Sequence, residues 1–339
     1  MTYYAGFDIG GTNARLSLFD DDWQVLGESR RGVRGAGEPG KVAETMREML
    51  ADLCEHHGVV RGELDALGVG IAGQLDAAGQ VVINAPNLGW RDVDFADLLA
   101  DTLESDFGAL NIHIANDLNA LLWGEHAAGA VSDVDNALAV YVGTGIGGAI
   151  LIDGGLVTGS GGKAGEIGHS KVVPGGRLCG CGERGCVEAY AGGVHLEKMA
   201  AEIAERDSLD EVLRPGEEIQ ADLKVADRLA ADGREAFDEL WEMSTDYLAV
   251  VLANACTLLN PAVLLLGGGI LENLEDFRGR VLTKTTPLVL EAARRDLEIR
   301  FPELGDDAGV LGAAELAAGS AANASANASA NTSANASTK

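Results

Sequence analysis

The chain has 339 residues, of which 47% are hydrophobic and 23% are charged, and its formal net charge is −28. This length suffices for two globular domains of ordinary size, and the regular apolar runs exclude a disordered protein. No run of about 18 uncharged apolar residues occurs, which excludes a membrane-spanning helix. Phosphate groups would be repelled by so acidic a surface, which argues against nucleic-acid binding.

The basic residues are unevenly divided, with seven lysines against eighteen arginines. Few lysines together with many Asp and Glu residues are typical of proteins from salt-loving archaea. Near 1 M salt the Debye length is only about 3 Å, so self-repulsion at this charge becomes tolerable. The composition therefore predicts a halophilic, haloarchaeal protein, and the alternative is an ordinary acidic protein of the cytosol.

The N-terminal residues enter a strand pattern directly, with neither a basic leader nor a cleavage site. This predicts a cytoplasmic protein. Thiols stay reduced in that compartment, so clustered cysteines there favour a metal site over a disulfide.

The first predicted strands, over 3–7 and 15–19, flank a glycine turn with the sequence DIGGTN at residues 8–13, and a third strand follows over 25–29. The turn is neither a Walker loop nor a dinucleotide-binding fingerprint, because it lacks the GK[ST] ending and no helix follows. Its backbone amides can bind a phosphate oxygen, and Asp8 can reach Mg²⁺ through a water molecule. A plain hairpin turn has the same pattern.

The next elements lead to a second polar strand end. Helices are predicted over 41–57 and 94–103, and strands over 67–71, 81–83 and 112–115. The last of these strands ends in Asn116 and Asp117, immediately before an apolar helix over 120–128. Asp117 therefore follows the carboxyl end of a strand, where α/β sheets place ligands. The same position also suits an aspartate that only caps the helix.

A second strand–glycine turn–strand pattern covers residues 137–152, with the sequence GTGIGG at its turn. It begins about 135 residues after the first. Two copies predict a duplicated fold, in which two phosphate-binding hairpins face one cleft. The pair is a more specific signal than either hairpin alone.

Three of the five cysteines fall within eight residues, and a histidine precedes them by ten. The four residues are His169, Cys179, Cys181 and Cys186. Three thiolates and an imidazole form a ligand set of structural zinc, and three glycines at 180, 182 and 185 allow the tight turns of so short a loop. The alternatives are a disulfide loop or three unrelated thiols. Glu166 and Glu188 flank the group, so a zinc ion here would hold a polar site rigid.

The rest of the chain is mainly helical, with helices predicted over 194–206, 219–231, 234–258, 280–294 and 308–318. A strand over 263–266 ends in three glycines, and another strand is expected over 297–301. A glycine triplet lets a flat ring approach the backbone, although it is also found in tight turns. From Gly319 onward the Ala/Asn/Ser repetition predicts a disordered tail.

Seven segments occur in one order: DIGGTNAR, NAPNLGW, ANDLNA, VGTGIGG, GEIGH, CGCGERGCVEAY and LGGG. Together they resemble the ROK family (repressors, open reading frames, kinases), most closely its glucokinases, from residue 3 to about residue 318. The resemblance implies an α/β, actin/hexokinase-like (ribonuclease H-like) fold of two domains around a cleft. The expected domains are a small one over 1–116 plus 308–318, a large one over 117–307 with the zinc loop, and a disordered tail over 319–339.

The resemblance also assigns roles to residues of this chain. Asp117 matches the catalytic base. Sugar contacts are expected from Asn87, Asn116, Asp117, Glu166, His169 and Glu188. Nucleotide contacts are expected from Asp8, Gly10, Gly11, Thr12, Asn13, Gly143, Thr144, Gly145, Gly147, Gly267, Gly268 and Gly269. The zinc ligands are His169, Cys179, Cys181 and Cys186, and Mg²⁺ is expected with ATP.

The expected reaction is transfer of the γ-phosphoryl group of MgATP to a hexose hydroxyl, with glucose preferred. Phosphoryl transfer needs mainly alignment and charge neutralisation, and an ionised carboxylate can accept the proton of the attacking hydroxyl. Neither glycine turn contains a lysine, so backbone amides and magnesium must carry the phosphate charge. Carboxylates and amides suit a neutral polyol, whose hydroxyls both donate and accept hydrogen bonds.

Several alternatives stay open at this point. The acceptor could be N-acetylglucosamine, N-acetylmannosamine or, with less support, fructose. The donor could be ADP or polyphosphate instead of ATP. A homodimer or homotetramer is expected, with no nucleic-acid or membrane partner. A sugar-responsive repressor of the same family is a remote alternative, because repressors carry a helix-turn-helix segment ahead of the first glycine turn and only seven residues precede Asp8.

Overall fold

A computed structural model describes residues 1–33, 37–207 and 222–320 of the chain. These residues divide into two compact units. Unit 1 consists of residues 1–133, 156–164 and those from 303 onward, and unit 2 consists of residues 134–155 and 165–302. In the described part of the chain, no helix is both long enough and apolar enough to span a membrane.

Unit 1 contains a five-stranded sheet and a small three-stranded sheet. Its elements are β1 (Tyr3–Ile9), β2 (Asn13–Phe19), β3 (Val25–Gly32), α1 (Pro39–His57), β4 (Leu64–Ile71), β5 (Gln74–Leu75), β6 (Val81–Ala85), β7 (Trp90–Asp94), α2 (Phe95–Phe107), β8 (Asn111–Asn116), α3 (Asp117–Ala128) and a closing helix over 307–320. The strand order of the larger sheet is β3-β2-β1-β4-β8, and that of the smaller sheet is β5-β6-β7.

The closing helix explains the run of small residues near the end of the described chain. A Cβ atom on Gly6 of β1 would lie 1.9 Å from the carbonyl oxygen of Val310, and one on Gly68 of β4 would lie 1.8 Å from that of Ala313. The helix backbone therefore packs directly on the sheet, and only glycine fits at these two strand positions. Helix α1, which contacts β2 and β3, buries Val42, Met46 and other apolar residues at helical spacing.

Unit 2 contains the second five-stranded sheet, with most of the remaining helices. Its elements are β9 (Ala137–Val142), β10 (Ile146–Ile152), β11 (Gly155–Leu156), a 3₁₀ turn (Ile167–His169), α4 (Glu188–Ala191), α5 (Gly193–Asp207), α6 (Leu223–Ala231), α7 (Glu235–Leu259), β12 (Val263–Gly267), α8 (Gly269–Asn273), α9 (Glu275–Leu288), α10 (Glu291–Arg294) and β13 (Glu298–Arg300). The strand order is β11-β10-β9-β12-β13. One apolar core joins this sheet to α5, α6, α7 and α9, with Trp241 and Phe277 fully buried in it.

The two large sheets have the same topology. In unit 1, β1 pairs antiparallel with β2 and parallel with β4, and β4 pairs parallel with β8. In unit 2, β9 pairs antiparallel with β10 and parallel with β12, and β12 pairs parallel with β13. The α/β class and the duplication predicted from the two glycine turns are therefore confirmed.

The domain division differs from the predicted boundaries at 116/117 and 307/308. Helix α3 follows the first of these positions directly and packs against β4 and β8, so the structure keeps it in unit 1. Residues 156–164 also belong to unit 1, although they follow residues 134–155 of unit 2 along the chain. The predicted division, which used long contiguous segments, did not include this exchange.

Several element boundaries also differ from their predictions. The helix predicted over 280–294 is two helices, α9 and α10, separated by the non-helical residues Val289 and Leu290. Pro287 lies in the last turn of α9 and cannot donate a hydrogen bond back to the carbonyl of Thr283, which weakens that turn. Gly319 and Ser320, predicted to begin the tail, are helical. The predicted tail over 321–339 and the predicted helix start over 219–221 lie outside the described residues.

Candidate active site and metal group

In unit 1, the first glycine turn joins β1 to β2 and lies against the segment that contains Asn87. The N–H of Gly10 donates to the carbonyl oxygen of Asn13 at 3.0 Å, which closes the turn. A Cβ atom on Gly11 would lie 2.9 Å from Cβ of Asn87. The structure therefore brings a predicted nucleotide-binding turn and a predicted sugar contact together. Asn87 itself is exposed.

Asp8 lies on β1 opposite Arg15 of β2. Burial is the main cause that raises the pKa of the Asp8 carboxyl, while Arg15 lowers it and Asp306 raises it. Arg15 is shared with two other carboxylates, because it forms ion pairs with Asp306 at 3.1 Å and Asp307 at 3.0 Å. The negative charge of Asp8 is thus poorly compensated by the protein, a setting that suits a nearby cation.

Asn116 and Asp117 lie where β8 passes into α3. Oδ1 of Asn116 caps the helix by accepting from the N–H groups of Leu118 and Asn119, at 3.0 and 3.2 Å. Its Nδ2 donates to the carbonyl of Gly73 at 3.1 Å and to Oδ1 of Asp117 at 3.0 Å. Oδ1 of Asp117 also accepts from the N–H of Leu118 at 3.0 Å. Asn116, not Asp117, is therefore the cap, and Asp117 is held in place by its neighbours.

The register of the sheet places these groups at one edge. Ile9 at the end of β1 pairs with Ile71 at the end of β4, and Ile71 pairs with Asn116 at the end of β8. The carboxyl ends of the three parallel strands are therefore level, and the first glycine turn, Asn116 and Asp117 all follow this edge. Ligand sites of α/β sheets occupy this position.

In unit 2, the second glycine turn and the glycine triplet lie at the ends of neighbouring parallel strands. The N–H of Gly143 donates to the carbonyl of Gly145 at 2.9 Å, which closes the turn between β9 and β10. Gly267 ends β12 and pairs with Tyr141 of β9. Gly268 has φ +94, and a Cβ atom there would lie 2.6 Å from the carbonyl oxygen of Val142. The triplet therefore needs glycine for its close approach to the strand that leads into the hairpin.

The predicted metal ligands form one group in unit 2. One ligand atom from each of His169, Cys179, Cys181 and Cys186 lies within 4.8 Å of the others. The Sγ atoms of Cys181 and Cys186 are 3.8 Å apart, and Cys179 Sγ lies 3.7 Å from Nδ1 of His169. Tetrahedral zinc with Zn–S distances of about 2.3 Å requires sulfurs about 3.8 Å apart. The donor set and its spacing therefore fit a zinc ion, and all five cysteines are free, so the disulfide loop is not formed.

Two glycines shape the cysteine loop. Gly182 and Gly185 have φ values of +89 and +82, which favour glycine, whereas Gly180 does not adopt a left-handed conformation. A Cβ atom on Gly185 would lie 1.9 Å from the carbonyl oxygen of Val173. Cys179 and Cys186 are buried against Tyr190, and Cys181 is exposed. One side of the ligand group therefore faces the protein and the other faces solvent.

Charged side chains contact the ligand group directly. Oε1 of Glu188 accepts from Sγ of Cys179 at 3.2 Å, and burial together with Glu188 raises the pKa of that thiol. Oε2 of Glu166 lies 3.7 Å from Nε2 of His169, the ring nitrogen that points away from Cys179. This distance is too long for a hydrogen bond, so Glu166 lies beside the outer nitrogen of the histidine without a direct bond to it.

Two contacts at these sites were not predicted from the sequence. Nζ of Lys171 donates to Sγ of Cys186 at 2.9 Å and forms an ion pair with Glu183. Oε2 of Glu188 accepts from the N–H of Ile146, the residue that follows the second glycine turn, at 3.0 Å. The position of Lys171, two residues after His169, was a sequence signal for its contact with the ligand group. The contact of Glu188 with Ile146 joins residues 42 positions apart, so the sequence held no signal for it.

The predicted site residues therefore form two sets, one in each unit. The set in unit 1 is Asp8, Gly10, Gly11, Thr12, Asn13, Asn87, Asn116 and Asp117. The set in unit 2 is Gly143, Thr144, Gly145, Gly147, Glu166, His169, Cys179, Cys181, Cys186, Glu188, Gly267, Gly268 and Gly269.

Comparison with known proteins gives one consistent result. Residues 4–320 match the ROK family. A glucokinase of Pyrobaculum calidifontis is 33% identical, over 94% of this chain and 95% of its own. An N-acetylmannosamine kinase of Salmonella typhi is 32% identical, over 92% of this chain and 97% of its own. The crystal structure of a ROK family glucokinase from Streptomyces griseus in complex with glucose and AMPPNP is 29% identical and superposes with a TM-score of 0.72, covering 93% of this chain and 98% of that one.

Proposed function

Because the chain belongs to the ROK family, we propose that this ATP-dependent hexose kinase phosphorylates glucose, forming glucose 6-phosphate and ADP. The observation that carries the proposal is the position of Asp117, a half-buried carboxylate at the carboxyl end of β8 and the start of α3. The relatives named glucokinase and the glucose-bound structure support glucose as the acceptor. The two-domain actin-like kinase fold of that structure agrees with the duplicated sheets described above.

Asp117 is the proposed base. Its Oδ1 accepts from Leu118 and Asn116, which fixes the carboxylate relative to the strand end. The carboxylate accepts the proton of the sugar hydroxyl as that oxygen attacks the γ-phosphorus and the bond to the ADP oxygen breaks. Further hydroxyl contacts are assigned to Asn87, Asn116, Glu166, His169 and Glu188.

The glycine turns are the proposed phosphate contacts, and the triplet at 267–269 is the proposed contact for adenosine. Neither turn contains a lysine, so their backbone amides bind the phosphate oxygens. Mg²⁺, when bound with ATP, neutralises the phosphate charge. Asp8 is proposed to interact with it through water, and its poorly compensated charge supports this role.

The ligand group of unit 2 is proposed to hold zinc as a structural ion. Four protein ligands leave no position for water or substrate, so zinc would supply rigidity to the loop and would take no part in the reaction. The side chains that benefit are Glu166, next to His169, and Glu188, next to Cys179. A displacement of about 1 Å is enough to misalign such groups with a sugar.

A second acceptor class is favoured by one specific observation. Relatives named N-acetylmannosamine kinase match this chain as well as the glucokinases do, at 31 to 32% identity. An acetamido group needs space beside the second carbon of the sugar. N-acetylmannosamine or N-acetylglucosamine is therefore the competing acceptor.

A coupled assay of ADP release tests the proposal. Glucose, fructose, N-acetylglucosamine and N-acetylmannosamine are compared as acceptors with MgATP, and ADP and polyphosphate are then compared with ATP as donors by measuring glucose 6-phosphate. We expect the highest kcat/KM for glucose with ATP. A higher kcat/KM for an N-acetylhexosamine would replace glucose as the acceptor, and no turnover with any sugar would overturn the kinase assignment.

A further inference from the structure

Glu188 makes two contacts that point in different directions within unit 2. It is the first residue of α4. One carboxylate oxygen, Oε1, lies 3.2 Å from Sγ of Cys179, and the other, Oε2, accepts from the N–H of Ile146 at 3.0 Å. The same side chain therefore contacts both the metal-ligand group and the second glycine turn.

The turn is shaped to admit this carboxylate. A Cβ atom on Gly145 would lie 2.5 Å from Oε2 of Glu188. Gly145 is outside the left-handed region, so an alanine would adopt its backbone conformation without strain. Glycine is needed at this position for the close approach of Glu188 and not for the turn itself.

The start of α5 also contacts the turn. The N–H of Gly193 donates to the carbonyl of Gly143 at 2.8 Å, and the N–H of Val194 donates to that of Thr144 at 3.1 Å. These bonds fix the carbonyls of the turn, while Glu188 fixes the amide that begins β10.

We propose that Glu188 is a positioning residue for the nucleotide-binding hairpin, in addition to the sugar contact assigned to it above. The inference rests on the proposed function of the hairpin as a phosphate site. A turn that binds phosphate through amides alone depends on the direction of each N–H group, and glycines leave that direction poorly restrained. The charged hydrogen bond from Ile146 to Glu188 supplies the restraint.

The test measures binding of AMPPNP with Mg²⁺ by calorimetry, together with glucose binding and bound zinc. Glu188→Ala should weaken AMPPNP binding about tenfold, because a hydrogen bond to a charged group is lost. Glu188→Gln keeps an acceptor for Ile146 and should bind AMPPNP within about twofold of wild type. Glu166→Ala is the matched control: it removes the carboxylate that lies beside His169 of the same ligand group, so it should weaken glucose binding more than AMPPNP binding.

Gly145→Ala separates positioning from the loss of the carboxylate. The atom that a new methyl group would meet is the far end of a flexible side chain, so Glu188 can move aside without unfolding the protein. This variant should weaken AMPPNP binding as Glu188→Ala does, although Glu188 is still present.

Wild-type affinity for AMPPNP in both Glu188→Ala and Gly145→Ala would overturn the inference. An equal loss in Glu166→Ala would also overturn it, since the defect would then arise from the loop as a whole. If wild-type protein binds glucose but no nucleotide, the proposed phosphate role of the hairpin fails first, and the inference with it.

Discussion

Replacing Asp117 with asparagine tests the proposed base with the smallest change of shape. In the structure, Oδ1 of Asp117 accepts from the N–H of Leu118 and from Nδ2 of Asn116, both at 3.0 Å. An amide oxygen can accept the same two hydrogen bonds, so the side chain should keep its position. The substitution then removes the negative charge and, with it, the ability to take up a proton.

The expected loss follows from the missing base. General-base catalysis contributes about 10²–10⁴ to a rate. We therefore expect kcat for Asp117→Asn to fall by at least about 10², which corresponds to about 2.7 kcal/mol of transition-state stabilisation. Glucose affinity should change little, because an amide can still hydrogen-bond a sugar hydroxyl.

The assay combines coupled turnover with direct measurement of glucose binding on the same samples. Asn116→Ala is a useful comparison, because it removes the helix cap, an assigned sugar contact and one hydrogen bond to Asp117, but leaves the carboxylate itself. It should lower stability by about 1 kcal/mol and weaken glucose binding. More than a tenth of wild-type kcat in Asp117→Asn, with phosphoryl transfer verified, would remove Asp117 from the role of base.

Three further outcomes are expected. Cys181→Ser should reduce bound zinc. It should also weaken glucose binding more than AMPPNP binding, because Glu188 remains hydrogen-bonded to Ile146. A wild-type protein that is fully active without zinc would refute the structural role of the metal. Lys171→Met should lower zinc affinity roughly 10-fold or more, measured in competition with a chromophoric chelator, because the lysine balances the charge of three thiolates. The control is Lys163→Met, which changes a lysine outside the ligand group. Equal zinc affinities of the two variants would refute the role of Lys171 in zinc binding. The melting temperature should rise between about 0.1 and 2 M KCl as self-repulsion is screened, and a flat response would contradict the halophilic interpretation.

Local chemistry was predictable from the sequence. Glycine turns, a carboxylate after a strand and a cysteine cluster are signals within a few residues, and the structure places each of them at a strand end or in one ligand group. The duplication was also predictable, because both copies of the hairpin keep the same pattern. Each of these features depends on neighbours along the chain.

Features that depend on packing between distant segments were not predictable. The sequence predicts Gly145 as a turn residue, whereas in the structure its lack of a side chain leaves room for the carboxylate of Glu188. The sequence predicts helix α3 as the start of a new domain, whereas in the structure it packs against β4 and β8 of unit 1. The break after Pro287 was missed because a proline in the last helical turn and one in a loop look alike in sequence. In each case the deciding contact is with an atom that spacing does not reveal.

The acidic surface and the lysine-free hairpins together lead to a last prediction. The chain carries a net charge of −28, and MgATP is itself an anion, whereas glucose is neutral. At low salt the surface should therefore repel the nucleotide but leave the sugar unaffected, and the backbone amides of the hairpins carry no full charge to compensate. Raising KCl from about 0.1 to 2 M shortens the Debye length to a few ångströms and should lower KM for ATP while KM for glucose stays nearly constant. Steady-state kinetics at both salt concentrations, on protein checked for folding, measures the two constants. A parallel fall of both would show that salt acts by stabilising the fold, and a rise of KM for ATP alone would show that local positive charge dominates at the nucleotide site.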